Sequence, residues 1–228
     1  MGAPALNRTP MPRFALFDLD YTLLDFDSDH AWGEFLCREG RVDAREYRAR
    51  NDAFYADYRA GRLDMDAFLR FSLRPLGEIP WMELLELRER FMRSEEAGRV
   101  KPRARELVRL HAAAGERTAV VTATNRFVTE PFARAFGVDA LLATELETSG
   151  GRPTGRPLGE PCFREGKIRH AEAWLAPLGG RLEDCSFYSD SLNDLPLLGR
   201  VGRPVAVDPD PRLEAEARAR GWEILSLR

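Results

Sequence analysis

Four short apolar runs constrain what this chain can fold into more than any other feature. They are FALF (14–17), TAVV (118–121), CSFY (185–188) and PVAV (204–207), each followed by polar or turn-forming residues. Continuous apolar runs of this length suit strands covered on both faces, as in a parallel sheet. Helical patterns stand between most of them. Pro102 sits where a first-turn proline belongs, RARELVRLHAAA continues at helical period, and Gly115 ends it. A further helix is expected over 164–176 and a short one from Asp194. Strand and helix in alternation predict an α/β fold with a doubly wound parallel sheet. In such a sheet ligands bind beyond the carboxyl ends of the strands.

Residues 29–98 break the alternation. AWGEFLCREG, AREYRARNDAFYADYRAG, MDAFLRFSLRPLG and WMELLELRERFMRSEEAG read as four helices punctuated by glycine or proline. About 70 residues of helix far exceed the dozen or so that a crossover between parallel strands needs. The segment therefore reads as a helical cap inserted into a core formed by 12–28 and 99–228, with Trp81, Phe91 and Met92 fitting the cap interior first and a dimer surface second. ETSGGRPTG (147–155) has the composition of a small hairpin.

Composition narrows the function. Thirty-four basic residues against 37 acidic ones give a formal net charge of −3, so neither nucleic acid nor an anionic membrane is an expected partner. Cys37, Cys162 and Cys185 lack metal-site spacing and fit a reducing cytoplasm. No apolar run reaches the roughly 20 residues of a membrane helix. The N-terminal stretch lacks a secretion profile and a myristoylation serine or threonine, and reads as a short disordered lead-in.

The polar residues behind the strands carry the chemistry. DLDYT follows the first, placing Asp18 and Asp20 two apart, where side chains point the same way. That pair suits a cation with a nucleophile or proton shuttle; an aspartate-rich turn is the plain alternative. Thr122 leads into ATNRF, where a hydroxyl and free amides at a strand-to-helix junction cradle a phosphate or simply cap the helix. Lys167 opens a helical pattern and, alone, reads as a surface charge; Asp190 and Asp194 of DSLND equally suit helix capping. Together these residues complement one another, because carboxylates and a bound cation need a positive side chain when a phosphoryl dianion arrives.

In this order the four groups resemble the motifs of the haloacid dehalogenase superfamily, and the helical insert resembles the C1-type cap of its phosphoserine phosphatase-like branch, some of whose members act on histidinol phosphate. The resemblance runs from Phe14 to a last strand near Trp222. It implies a Rossmann-like core and an Mg²⁺-dependent phosphomonoester hydrolase. Asp18 would attack phosphorus, and Asp20 would protonate the leaving oxygen and then activate water. Thr122, with the Ala123 and Asn125 segment, would hold phosphoryl oxygens, and Lys167 would neutralise charge. Asp18, Asp190 and the backbone carbonyl of Asp20 would hold Mg²⁺, supported by Asp194. Tyr21 departs from the family, which usually has glycine between the second aspartate and the threonine.

Substrate choice is expected from the cap. Asp27 lies where phosphoserine phosphatases carry an amine-reading glutamate, and Asp29, Trp32 and Arg74 are further candidates, each with cap packing or helix capping as its plain alternative. The expectation is an amine-bearing phosphomonoester, histidinol phosphate ahead of phosphoserine, handled by a cytoplasmic monomer or homodimer. Phosphate transfer to another alcohol, a receiver-like signalling domain and a silent phosphate-binding module are the rival readings.

Overall fold

The computed structural model describes residues 13–94 and 97–228; the expected N-terminal lead-in lies almost entirely outside them. After β1 (Phe14–Phe17) come five helices: α1 (Ser28–Arg38), α2 (Ala44–Arg59), α3 (Met65–Ser72), α4 (Arg74–Glu78) and α5 (Trp81–Met92). Then follow α6 (Ala104–Ala113), β2 (Arg117–Asn125), α7 (Arg126–Phe136), β3 (Ala140–Thr144), β4 (Leu146–Ser149), β5 (Arg152–Pro157) and α8 (Glu165–Leu175). The chain closes with β6 (Cys185–Ser189), α9 (Leu195–Leu198), β7 (Arg203–Val207), α10 (Pro211–Arg220) and β8 (Glu223–Leu225).

Six strands form a parallel sheet in the order β3-β2-β1-β6-β7-β8. The chain builds outwards from β1 to one side, then returns to β6 on the other, so the topological switch lies at the carboxyl end of β1. All four residues of β1 are buried. Alternate side chains enter opposite cores: Ala15 and Phe17 pack with α6 and the helical insert, Phe14 and Leu16 with α8 and α10. Cys37, Cys162 and Cys185 are buried free thiols.

All four expected strands are present, and β4 pairs with β5 as the expected hairpin. Three expectations need correction. β2 runs on through Thr122 to Asn125, which pairs with Thr144 of β3, so Thr122 lies within the strand and the helix starts only at Arg126. Pro102 lies two residues ahead of the first residue of α6, just before the N-cap Arg103, instead of in the first turn. The third of the four expected helices is two, because Pro75 falls in the first turn of α4 and lacks the N–H needed to continue α3. Aspartates cap three helices of the insert: Asp27, Asp43 and Asp64 accept from the amides of His30, Glu46 and Ala67. The segments leading into and out of the insert lie side by side through a bridge between Leu24 and Val100. Phe91 is fully buried, with Trp81 and Met92 packed partly buried around the same core. Among the described residues no helix is long and apolar enough to cross a membrane.

Candidate active site

The site begins where β1 ends. The Asp18 amide donates to Tyr188 O of the neighbouring β6 at 2.9 Å, which fixes its backbone at the sheet's rim. Its buried carboxylate accepts from Lys167 Nζ at 2.7 Å and from Thr22 Oγ1 at 3.0 Å. Lys167 reaches it from the first turn of α8, where Gly166 lies so close to Pro161 that any Cβ would collide with that carbonyl. Lys167 also donates to Asp194 Oδ2 at 2.8 Å, an oxygen shared with Ser189 Oγ at 2.7 Å. Thr22 Oγ1 lies 3.2 Å from Asp190 Oδ1 and accepts the Asp190 amide at 3.0 Å. Asp18, Lys167, Asp190 and Asp194 are thus one cluster, as the strand order requires.

Asp20 stands beside this cluster with different partners. Its Oδ1 accepts the Ser28 amide at 2.8 Å and its Oδ2 accepts Thr124 Oγ1 at 2.9 Å. Thr122 is fully buried and accepts the Thr124 amide at 3.2 Å. Asn125 is the N-cap of α7, its Oδ1 accepting from Val128 N while its buried Nδ2 has no partner. Thr124 carries no signal in the sequence, because TATN reads as loop until β2 is seen to extend through it.

The electrostatics are lopsided. Burial pushes the Asp18 carboxyl up to about 7; Lys167 opposes this, while Asp194 and Asp20 add to it. Burial, then Asp27, lift Asp20 to about 7 despite its hydrogen bonds. Burial followed by Asp18 and Asp194 holds Asp190 well above the usual carboxylate range. Burial disfavours the Lys167 charge, but Asp18 and Asp194 outweigh it and hold the ammonium above its ordinary range. One lysine does not balance this many carboxylates, so an all-oxygen set with excess negative charge fits a hard divalent cation. Among the described residues no three acidic, histidine or cysteine side chains converge as a ready cage. A cation bound here would rely on few carboxylates plus backbone oxygen and water, a set that Mg²⁺ tolerates.

A cavity opens from Asp18 and Asp20 towards the helical insert. Asp27 and Asp29 line it, with Ala123 and Thr124 from β2. Its wall is a stripe of α2, Asn51, Phe54, Tyr55 and Tyr58, completed by His30 and Phe68. Neither lysine nor arginine is among the residues that line it. Asp27 spends one oxygen on the His30 amide at 2.8 Å. Asp29 is 8 % exposed and its carboxylate has no hydrogen-bond partner among the described residues. The α2 stripe was available in the sequence as an i, i+3, i+4, i+7 pattern.

Three of the candidate substrate-binding residues fall outside the cavity lining. Trp32 is buried in the interior of the insert, its ring against Phe35, Phe91 and Phe127, because an indole of that size fills the core between α1, α5 and α7. Arg74 is half exposed beside Glu78 at 3.7 Å, on a surface shared with Asp43, Glu46 and Arg50. Asn125 is turned to helix capping.

Comparison with known proteins identifies the family and the fold. The haloacid dehalogenase-like hydrolase profile matches residues 15–199. A histidinol-phosphatase of Neisseria meningitidis serogroup C is 46% identical over 96% of this chain and 100% of its own. The crystal structure of a Bordetella pertussis Tohama I protein of unknown function superposes with a TM-score of 0.88 at 47% identity, covering 96% of this chain and 100% of that one. A phospho-aspartyl intermediate analogue of phosphoserine phosphatase shares the fold, with a TM-score of 0.70 at 19% identity over 96% and 94% of the two chains.

Proposed function

This chain belongs to the haloacid dehalogenase-like hydrolases and is a phosphatase of that family, and on that premise we propose that it hydrolyses an amine-bearing phosphomonoester, histidinol phosphate foremost, through an aspartyl phosphate on Asp18. The observation that carries the chemistry is the buried Asp18–Lys167 contact of 2.7 Å at the switch point of the sheet. An Asp18 oxygen attacks phosphorus, and the bond to the leaving alcohol oxygen breaks. Lys167 stays charged and holds the nucleophile and a phosphoryl oxygen in register. Asp20, lifted to about 7, is protonated often enough near neutrality to give the leaving oxygen its proton. It then takes a proton from the water that opens the aspartyl phosphate. Thr122 and the amides that follow it hold phosphoryl oxygens. Bound Mg²⁺ supplies charge neutralisation between the arriving phosphate and the carboxylates. Asp18, Asp190 and the Asp20 backbone carbonyl would hold it, with Asp194 supporting. The helical insert acts as the cap that closes over the substrate.

The substrate reading rests on charge. Asp27 and Asp29 face a cavity with no lysine or arginine in its lining, and aromatic rings form its wall. An ammonium or imidazolium group suits that surface, and a substrate carboxylate finds no cation there. This favours histidinol phosphate over phosphoserine, in keeping with the name of the Neisseria relative. Phosphate release from histidinol phosphate, phosphoserine, homoserine phosphate and sugar phosphates, with Mg²⁺ or EDTA, tests the reading in the native chain and Asp18→Asn. Release dependent on both metal and Asp18, strongest for histidinol phosphate, is expected. Activity surviving in Asp18→Asn sinks the mechanism, and equal turnover with and without an amine sinks the substrate.

A further inference from the structure

Tyr21 has no part in the chemistry proposed above, yet it occupies a conformation that a bulky residue seldom adopts. It stands between Asp20 and Thr22 at φ 54°, in the left-handed region that glycine enters freely. Its amide donates to Phe26 O at 3.2 Å, so the turn is closed on itself. From that turn the phenol reaches the helical insert, where its hydroxyl lies 2.7 Å from Tyr55 OH. Tyr55 lines the cavity, and its ring sits 5.0 Å from that of His30. His30 is fixed in turn: its amide donates to Asp27 Oδ1 and its carbonyl accepts Asn51 Nδ2 at 3.2 Å. A path of direct contacts therefore joins the turn carrying Asp18 and Asp20 to the residues that read the far end of the substrate.

Other contacts from the sheet side grip the same helix by its backbone. Asn193 Nδ2 donates to Tyr58 O at 3.1 Å, Arg212 to Arg59 O and Ala60 O at 2.8 and 3.2 Å, and Arg164 to Gly61 O. These hold the end of α2 in place. The phenol pair differs from them because it acts on a side chain that faces the cavity.

We propose that Tyr21 is a specificity-determining positioning residue, whose phenol fixes the Tyr55 ring against His30 and so shapes the amine end of the cavity. Strained backbone persists where surrounding contacts over-determine it, and the Tyr55 contact is a return that glycine at this position does not provide. The inference rests on the cavity being the substrate site. It is tested with Tyr21→Phe, Tyr55→Phe and the double variant, which keep both rings and remove only hydroxyls. Each is assayed on histidinol phosphate and on p-nitrophenyl phosphate, which carries no amine, alongside thermal unfolding. Each single variant is expected to lower the preference for histidinol phosphate about fivefold, the worth of one hydrogen bond, with the loss chiefly in KM. The double variant should lose no more than either single one. Equal losses on both compounds, multiplicative losses in the double variant, or an unchanged preference overturn the proposal. If the native chain releases phosphate from p-nitrophenyl phosphate but not histidinol phosphate, the substrate reading has failed. The cycle in thermal unfolding then still reports whether the two phenols are coupled, and no coupling there overturns the contact itself.

Discussion

Asp29→Asn should move activity and stability in opposite directions. Asp29 is buried, lines the cavity and has no hydrogen-bond partner among the described residues, and burial followed by Asp27 and Asp20 raises its carboxyl well above the ordinary range. A carboxyl raised in the folded state favours its protonated form there. Its ionisation therefore opposes folding once pH exceeds the unfolded value, and the opposition grows until pH passes the folded one. Asparagine removes the charge at nearly constant volume. Relief of an unpaired buried group is worth roughly 1 kcal/mol or more, and about 2–4 °C in Tm per kcal/mol for a chain of this size. In the proposed substrate reading the same carboxylate is the partner of the substrate ammonium, and a hydrogen bond to a charged group contributes about 1.5–3 kcal/mol. The expected result is a kcat/KM for histidinol phosphate lower by about ten- to a hundredfold, with p-nitrophenyl phosphate little affected. The Tm gain should be largest near pH 8 and vanish towards pH 4. Steady-state kinetics and a thermal melt across that pH range measure both effects. A fall in Tm at pH 8, or equal losses on the two substrates, refutes the assignment of Asp29 as an unpaired carboxylate waiting for a cation.

Three further outcomes follow from the same contacts. Lys167→Ala leaves Asp18 and Asp194 buried without their cation, so urea unfolding should show a loss of about 3 kcal/mol or more together with loss of phosphate release. Gly166→Ala drives a methyl into the Pro161 carbonyl and displaces the turn that aims Lys167; activity should fall by about a hundredfold, as expected for a misplacement near 1 Å. Asp208 pairs with buried Lys101 at 2.7 Å; burial alone raises its carboxyl, but Lys101, Ser226 and the Leu227 amide hold it below its ordinary value. A depressed carboxyl stabilises the fold above its unfolded pKa, and that contribution is lost as pH falls through the folded value. Asp208→Asn should therefore cost about 3 kcal/mol at pH 7 and flatten the acid-side decline below about pH 4, read by urea titrations at both pH values.

The strands at the centre of the sheet were legible because parallel strands buried on both faces need apolar residues at every position. FALF is the clearest case, with all four residues buried. β3 escaped because it is the sheet's edge and its first three residues are only partly buried. The end of β2 escaped for a different reason: TATN is polar, and only its pairing with Thr144 and its hydrogen bonds to Asp20 and α7 explain why such residues are buried in a strand. Asp18, Lys167 and Asp194 were readable from order alone, since residues placed just behind strands and helix starts converge once the strands are neighbours. That logic brings Lys167 to Asp18 across 149 residues of sequence.

The helical insert has no such rule. Each of its helices carries aromatic and charged residues, and nothing local tells a ring that fills the core, such as Trp32, from one that faces the cavity, such as Tyr55. Arg74 was a reasonable candidate for reading the substrate until its helix turned it to solvent beside Glu78. Composition misleads in the same way. A net charge of −3 on 228 residues says only that acids and bases nearly cancel over the whole chain. Folding sorts them: Asp18, Asp20, Asp27 and Asp29 gather around one cavity whose lining has neither lysine nor arginine, while the arginines mostly pair across the exterior. Near-neutrality argues against polyanionic partners, and it is silent about a small cation. The proposed preference for a positively charged substrate thus rests on tertiary placement, and Asp29, left without a partner inside an acidic cavity, is where that placement is most exposed to test.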